Sequence, residues 1–157
     1  MNKTLLLIPH YNNQEGLRKS IQSICAKEKI DVLVVDDGSS NSLDEILIIQ
    51  GFKAQGCIFF QYLGKNKGIE HALNFGLEIA RNKKYKFLAR LDCGDTIIGS
   101  RFKIQEQFLE KNDIALVGSN VNFVNEKGEV LYKVSLPTTD TDIRKKMYLN
   151  AMHIHPS

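Results

Sequence analysis

Brief apolar runs alternate with amphipathic stretches along most of the chain. Residues 3–8 close on Leu5-Leu6-Leu7-Ile8 and stop at Pro9, and Asp31-Val32-Leu33-Val34-Val35 is a second short run rich in β-branched side chains. Runs this short predict strands covered on both faces, the kind found in parallel sheets. Residues 57–63 and 85–91 predict a third and a fourth strand, and 115–118 a further short one. The segments between them have helical spacing. Leu17, Ile21 and Ile24 mark a helix that Asn12 or Asn13 caps and that continues through Lys27. Residues 42–52 predict a second helix, with Ser42 and Glu45 at the separation of a capping box. Apolar or small residues at 69, 72, 73, 76, 77 and 80 draw one face of a helix over 68–81, and Phe102, Phe108 and Leu109 do so over 100–111. Residues 121–134 predict a hairpin around Asn125-Glu126-Lys127-Gly128, and 140–149 a last helix.

Strand–helix alternation of this kind predicts an α/β fold, a Rossmann-like and mostly parallel sheet with helices on both faces. Ligands of such open sheets bind beyond the carboxyl ends of the strands. Polar clusters follow three of the predicted strands: Pro9 to Asn13, Asp36 to Ser40, and Asp92 to Asp95. They are expected to converge on one crevice. With 157 residues the chain is expected to form one domain, residues 1–157. The formal charge of +3, from 21 Lys+Arg and 18 Asp+Glu, is too small and too dispersed for a nucleic-acid surface. No apolar run approaches the roughly 18 residues of a membrane span, and the first one ends too early for a signal peptide. Cys25, Cys57 and Cys93 lack CxxC spacing and are expected to be reduced, small buried hydrophobes in a cytoplasmic protein.

The common signatures are absent. The chain has no GxxxxGK[ST], no GxGxxG after the first strand, no GxSxG, no HExxH and no paired CxxC. The remaining chemistry is acidic. Asp92 and Asp95 flank Cys93-Gly94, and oxygen ligands from a short turn suit Mg²⁺ or Mn²⁺; read alone, the same residues also make a solvated turn. Asp36 and Asp37 can accept hydrogen bonds from a ligand or shape a strand-to-helix turn. Tyr11 offers a flat face for stacking. Lys67, ahead of a helix N-terminus, can meet a diphosphate. His153 and His155 read as an incidental pair rather than metal ligands.

Taken in order, Ile8-Pro9-His10-Tyr11-Asn12, Val34-Val35-Asp36-Asp37-Gly38-Ser39, Asn66-Lys67-Gly68 with Ala72-Leu73-Asn74, and Ala89-Arg90-Leu91-Asp92-Cys93-Gly94-Asp95 resemble a family 2 glycosyltransferase across residues 3–125. The resemblance implies a GT-A fold and inverting transfer of a sugar from a nucleotide-diphosphate sugar, commonly a UDP-sugar, to an acceptor hydroxyl in glycan or cell-surface polysaccharide synthesis. It implies that Pro9 and Tyr11 line the base pocket, that Asp37 meets the base edge with Asp36 beside it, and that Lys67 borders the diphosphate. It assigns Asp92 to the nucleotide sugar and, with Asp95, to a Mn²⁺ or Mg²⁺ ion in a DxD-type motif. Gly94 stands where the family often has another acid. The family's acceptor half, with its general base, is expected beyond Ser157, which would make this chain a truncated donor-binding part. Glu126, Glu129, Asp140 and Asp142 read as turn and cap residues instead. The implied partners are the donor and a glycan or lipid-linked acceptor, without nucleic acid, at the cytoplasmic side and the inner face of the membrane. Two alternatives from other classes are a non-catalytic nucleotide-binding module and a nucleotidyltransferase on a similar sheet. The latter would want a Gly-rich, basic N-terminal loop, and residues 5–16 contain only Gly16.

Overall fold

In the computed structural model, which describes residues 2–147, eleven elements follow one another: β1 Thr4–His10, α1 Gln14–Gln22, β2 Asp31–Asp36, α2 Glu45–Gly51, β3 Ile58–Tyr62, α3 Ile69–Asn82, β4 Phe87–Arg90, α4 Arg101–Lys111, β5 Val121–Val124, β6 Val130–Val134 and α5 Asp140–Lys146. The first four strands form one parallel sheet in the order β3-β2-β1-β4, and β5 and β6 form a separate antiparallel hairpin. All residues of β1 and β2 are buried, as their unbroken apolar runs require.

Side chains alternate across the sheet, so each strand feeds two cores. Leu6, Ile8, Val32 and Val34 pack on Leu17 and Ile21 of α1, Ile48 of α2 and Phe102 of α4. Leu5, Leu7, Leu33 and Val35 point the other way, onto Ala72 and Ala80 of α3. Helices thus cover both faces, the α/β arrangement expected. Each fully buried Leu or Ile contributes about 1.5–3 kcal/mol of transfer free energy, so these layers dominate stability. No helix among the described residues is long and apolar enough to cross a membrane.

Several boundaries differ from the sequence reading, each for a local reason. Pro9 does not end β1; it pairs with Val35, and the strand runs on to His10. Leu7 C=O accepts from Leu91 N–H on the β4 side, whereas His10 C=O accepts from Asp37 N–H on the β2 side. By alternation Pro9 faces the β4 side, where β4 has already given way to a turn, so its missing N–H costs no ladder bond. Helix α1 stops at Gln22 rather than Lys27, where Ser23 Oγ donates to Ser20 C=O and accepts from Ile97 N–H. The N-cap of α2 is Asp44, whose carboxylate accepts from Leu47 N–H, so the capping box at Ser42 does not form. Residues 115–118 form no strand. Thr139, not Asp140 or Asp142, caps α5, by accepting from Asp142 N–H. Cys57 is exposed rather than a buried hydrophobe, while Cys25 and Cys93 are half-buried. The end of the predicted 140–149 helix, His153 and His155 lie outside the described residues.

Glu28, in the turn after α1, supplies a cap that no local pattern signals. It is buried, and its oxygens accept from Phe102 N–H at 3.0 Å and Lys103 N–H at 2.9 Å, the first turn of α4. Ser100, the positional N-cap, makes no side-chain cap bond. Replacing Glu28 by Ala leaves two amides without an acceptor, and is expected to cost about 2–4 kcal/mol. Glu15→Ala, which removes only an exposed ion pair with Arg18, should change stability far less. Urea unfolding of the two variants checks the contrast.

Candidate functional site

Because β2, β1 and β4 are neighbours and parallel, their carboxyl ends open at the same edge of the sheet. His10, Asp36 and Arg90 are the last residues of those strands, and the polar segments predicted to meet begin there.

The centre of this edge is a buried hydrogen-bond network. Asp36 accepts from Gly38 N–H, from Ser39 N–H and, through its other oxygen, from Ser39 Oγ–H at 2.6 Å. His10 Nδ1 lies 2.6 Å from the same oxygen, and Asn13 N–H donates to His10 Nε2 at 3.2 Å. An acceptor role for Nε2 puts the ring proton on Nδ1, so His10 donates to Asp36. Burial alone would raise the Asp36 carboxyl; the hydrogen bonds from Ser39 and His10 outweigh it and hold the group below its ordinary value. Asp36 therefore ties β1, β2 and the N-cap of α1 together, with its oxygens engaged inside the chain.

Asp37 is also buried and holds a different loop. It accepts from Lys67 N–H at 3.0 Å and from Gly68 N–H at 2.8 Å, which fixes the entry into α3. Gly38 makes the approach possible: its φ is +77°, and a Cβ there would stand 2.5 Å from the Lys65 backbone carbon. The carboxylate retains lone pairs for one further donor. Lys67 is exposed, so its amide and its side chain serve separate purposes. Tyr11 is 48% exposed beside the buried Pro9, as a stacking face must be.

The acidic turn after β4 is braced by α1. The fully buried Ser20 donates through Oγ to Asp95 C=O at 2.7 Å and accepts from Gly94 N–H at 2.9 Å. Cys93 Sγ donates to Asn13 C=O at 3.3 Å. Gly94 has φ +107°, a conformation that a second acid at this position would strain. Asp92 accepts two bonds from Arg90, whereas among the described residues no hydrogen-bond donor acts on the Asp95 carboxyl. Desolvation, then the neighbouring Asp92, hold the Asp95 carboxyl above its ordinary value, and Arg101 opposes them. Desolvation lowers Arg101 in turn, against the pull of Asp95. The Cys93 thiol is pushed up to about 11 by burial and then by both acids, so it is inert.

These residues fit a hard cation that takes few protein ligands. Asp95 offers a free carboxylate, and Mg²⁺ or Mn²⁺ commonly binds through one or two carboxylates plus substrate phosphates. Among the described residues no group of three His, Cys, Asp or Glu side chains could hold an ion unaided.

A cleft of about 320 Å³ lies between the β1–α1 and β2–α2 loops, lined by His10, Asn12, Ser39 and Ser42 among others. It includes none of the residues assigned from sequence. Asn12 and Gln14 bridge it by accepting from Ser40 N–H and Asp44 N–H, which makes it the seam between two loops. Sequence reasoning gave no role to His10, Ser20, Arg90 or Arg101. A signal existed for Arg90, two residues before Asp92 at the end of a strand, where alternate side chains share a face. Ser20 and Arg101 act across the fold and had none.

The description Glycosyl transferase family 2 matches the chain over residues 6–157. An uncharacterized glycosyltransferase of Rickettsia felis is 28% identical over 134 residues, 84% of this chain and 21% of that protein. The O-antigen biosynthesis glycosyltransferase WbnJ of Escherichia coli is 30% identical over 86 residues, 54% of this chain and 34% of that protein. The structure of S. aureus TarS 1-349 in complex with UDP-GlcNAc superposes with a TM-score of 0.58 at 22% identity, over 71% of this chain and 32% of that one. The chain therefore spans about a fifth to a third of these proteins' length, and the TarS likeness establishes the GT-A fold.

The Asp36 network carries a pH dependence. A carboxyl held below its ordinary value contributes stability that is present above an unfolded value of about 3.9 and lost as pH falls through the folded value. Asp36→Asn is expected to flatten the fall in urea midpoint between about pH 4 and pH 2.5 relative to the parent chain. Parallel curves for the two proteins would show that the network is not the source.

Proposed function

The chain belongs to glycosyl transferase family 2, and from that premise we propose that it binds the nucleotide-diphosphate sugar at the carboxyl ends of β1, β2 and β4. The observation that carries this reading is the meeting of Tyr11, Asp37, Lys67 and the Asp92–Asp95 turn at one sheet edge, with the Lys67 segment and the acidic turn fixed by side-chain bonds from Asp37 and Ser20. Tyr11 and Pro9 stack on the base, and the remaining lone pair of Asp37 accepts the imide N–H of a uracil. The N-terminus of α3, with Lys67, faces the diphosphate. The UDP and UDP-GlcNAc complexes of TarS support a uridine donor.

Asp95, with Asp92 beside it, would hold Mn²⁺ or Mg²⁺. Such an ion, when bound, neutralises charge on the leaving diphosphate. The chain's own residues bind and orient the donor: Ser20 fixes the turn, and Asp36 with His10 fixes the base side. Transfer to an acceptor hydroxyl with inversion also needs a general base and an acceptor surface. Neither role is assigned to a residue of this chain, which spans about a fifth to a third of the length of these relatives. An acceptor in polysaccharide synthesis is supported by the likeness to WbnJ, a glycosyltransferase of O-antigen biosynthesis.

Calorimetry with nucleoside diphosphates in Mn²⁺ tests the reading. UDP should bind at least about tenfold more tightly than ADP or GDP. Tyr11→Ala should weaken UDP by about 1–3 kcal/mol, the range for one base stacked on one aromatic ring. Equal or absent binding of all three nucleotides would refute the donor site.

A further inference from the structure

The acidic turn treats its two carboxylates unequally. Arg90 Nε donates to Asp92 Oδ1 at 2.8 Å, and Nη2 donates to Asp92 Oδ2 at 3.1 Å. This is a bidentate, charge-assisted fork, among the stronger pairings of protein side chains. It is about three-quarters shielded from solvent on the arginine side, with Arg90 26% and Asp92 31% exposed. A second guanidinium stands behind it: Arg101 Nη2 donates to Arg90 C=O at 3.3 Å. Asp95, by contrast, is exposed, and among the described residues no donor bonds its carboxylate, while Ser20 locks the backbone of its turn.

A dication approaching Asp92 must displace a guanidinium from both of its oxygens or share them with it. Approaching Asp95, it meets no guanidinium hydrogen-bonded to the carboxylate, only the nearby charge of Arg101. We propose that Arg90 is a positioning residue that keeps Asp92 out of the cation's coordination shell. The chain by itself then offers a divalent ion one carboxylate, and retains the ion only together with a nucleoside diphosphate. Asp92 stays a fixed hydrogen-bond acceptor for the hydroxyls of the ligand. The inference rests on the donor-binding reading and corrects one part of it, the assignment of Asp92 to the metal. It also gives Gly94 a consequence. Where a further acid would strengthen the site for a free ion, this turn has none, so ion and diphosphate must arrive as a pair.

The test is Mn²⁺ binding followed by electron paramagnetic resonance, on the 157-residue chain with and without UDP. The parent is compared with Arg90→Gln, Arg90→Lys, Asp92→Asn and Asp95→Asn, each checked for folding by circular dichroism. Without UDP, Arg90→Gln should tighten Mn²⁺ at least about threefold by releasing Asp92, and adding Asp92→Asn should reverse the gain. Arg90→Lys keeps the charge without the fork and should fall between. With UDP present, Asp95→Asn should weaken Mn²⁺ at least about tenfold and Asp92→Asn less than about threefold. A purely structural role for Arg90 predicts no gain in affinity for the free ion. A folded Arg90→Gln chain with unchanged Mn²⁺ affinity overturns the proposal, as does an equal loss from Asp92→Asn and Asp95→Asn. If Arg90→Gln does not fold, the comparison of the two aspartates decides. A parent chain that binds no nucleotide refutes the donor site itself, and the free-ion measurements still judge Arg90.

Discussion

Burying β1 on both faces and both edges is the constraint from which the site follows. Leu5, Leu6, Leu7 and Ile8 can leave water on both sides only if helices cover both faces, and their amides can be satisfied only if strands flank both edges. Parallel neighbours then bring the ends of β2 and β4 to the same edge as His10. The polar clusters are adjacent because the apolar runs before them are interior. Sequence distance, from Tyr11 to Asp92, is irrelevant to that outcome.

Polar groups at this edge divide into those that hold and those that are held out. Asp36, His10 and Ser20 are buried, and each bonds to backbone or side chain well separated in sequence. Leaving such a group unpaired costs about 1–3 kcal/mol, so each fixes its loop as firmly as a hydrophobic contact would. Tyr11, Lys67 and Asp95 are exposed and carry few internal bonds. Asp37 and Asp92 stand between these classes. Asp37 shapes the entry to α3 with its carboxylate and still has capacity for a ligand, so replacing it changes a loop as well as a contact.

The layers, the parallel sheet and the polar strand ends were legible because they follow from local pattern. The unbroken apolar runs of β1 and β2 read as interior strands and are buried throughout, whereas β3 and β4 form the two edges of the sheet. Cross-fold bonds were not legible. Glu28 looks like one acid among lysines, and nothing near it announces α4, which begins more than seventy residues later. Pro9 reads as a stop because a proline ordinarily removes a ladder bond; only the early end of β4 makes it harmless. Residues 115–118 have strand composition, yet composition cannot provide a partner strand. The motif residues were visible in order, but their division into structural Asp36 and outward Asp95 depends on which oxygens already have donors.

That division explains how a turn with only two acids can serve a charged ligand. Arg90 and Arg101 balance Asp92 and Asp95, so the ligand-free turn is near neutrality and does not repel a diphosphate as a cluster of unpaired acids would. In the proposed reading a nucleoside diphosphate would bring its own negative charge, and Asp95 together with the phosphates would offer a divalent ion the hard oxygen ligands it prefers. Affinity for the pair would then exceed affinity for either alone, since each supplies charge that the other lacks. In the same reading, specificity for the base would fall to Tyr11 after β1 and Asp37 after β2, away from the acidic turn. The sheet order would then separate recognition of the nucleoside, at the ends of β1 and β2, from handling of charge, at the end of β4.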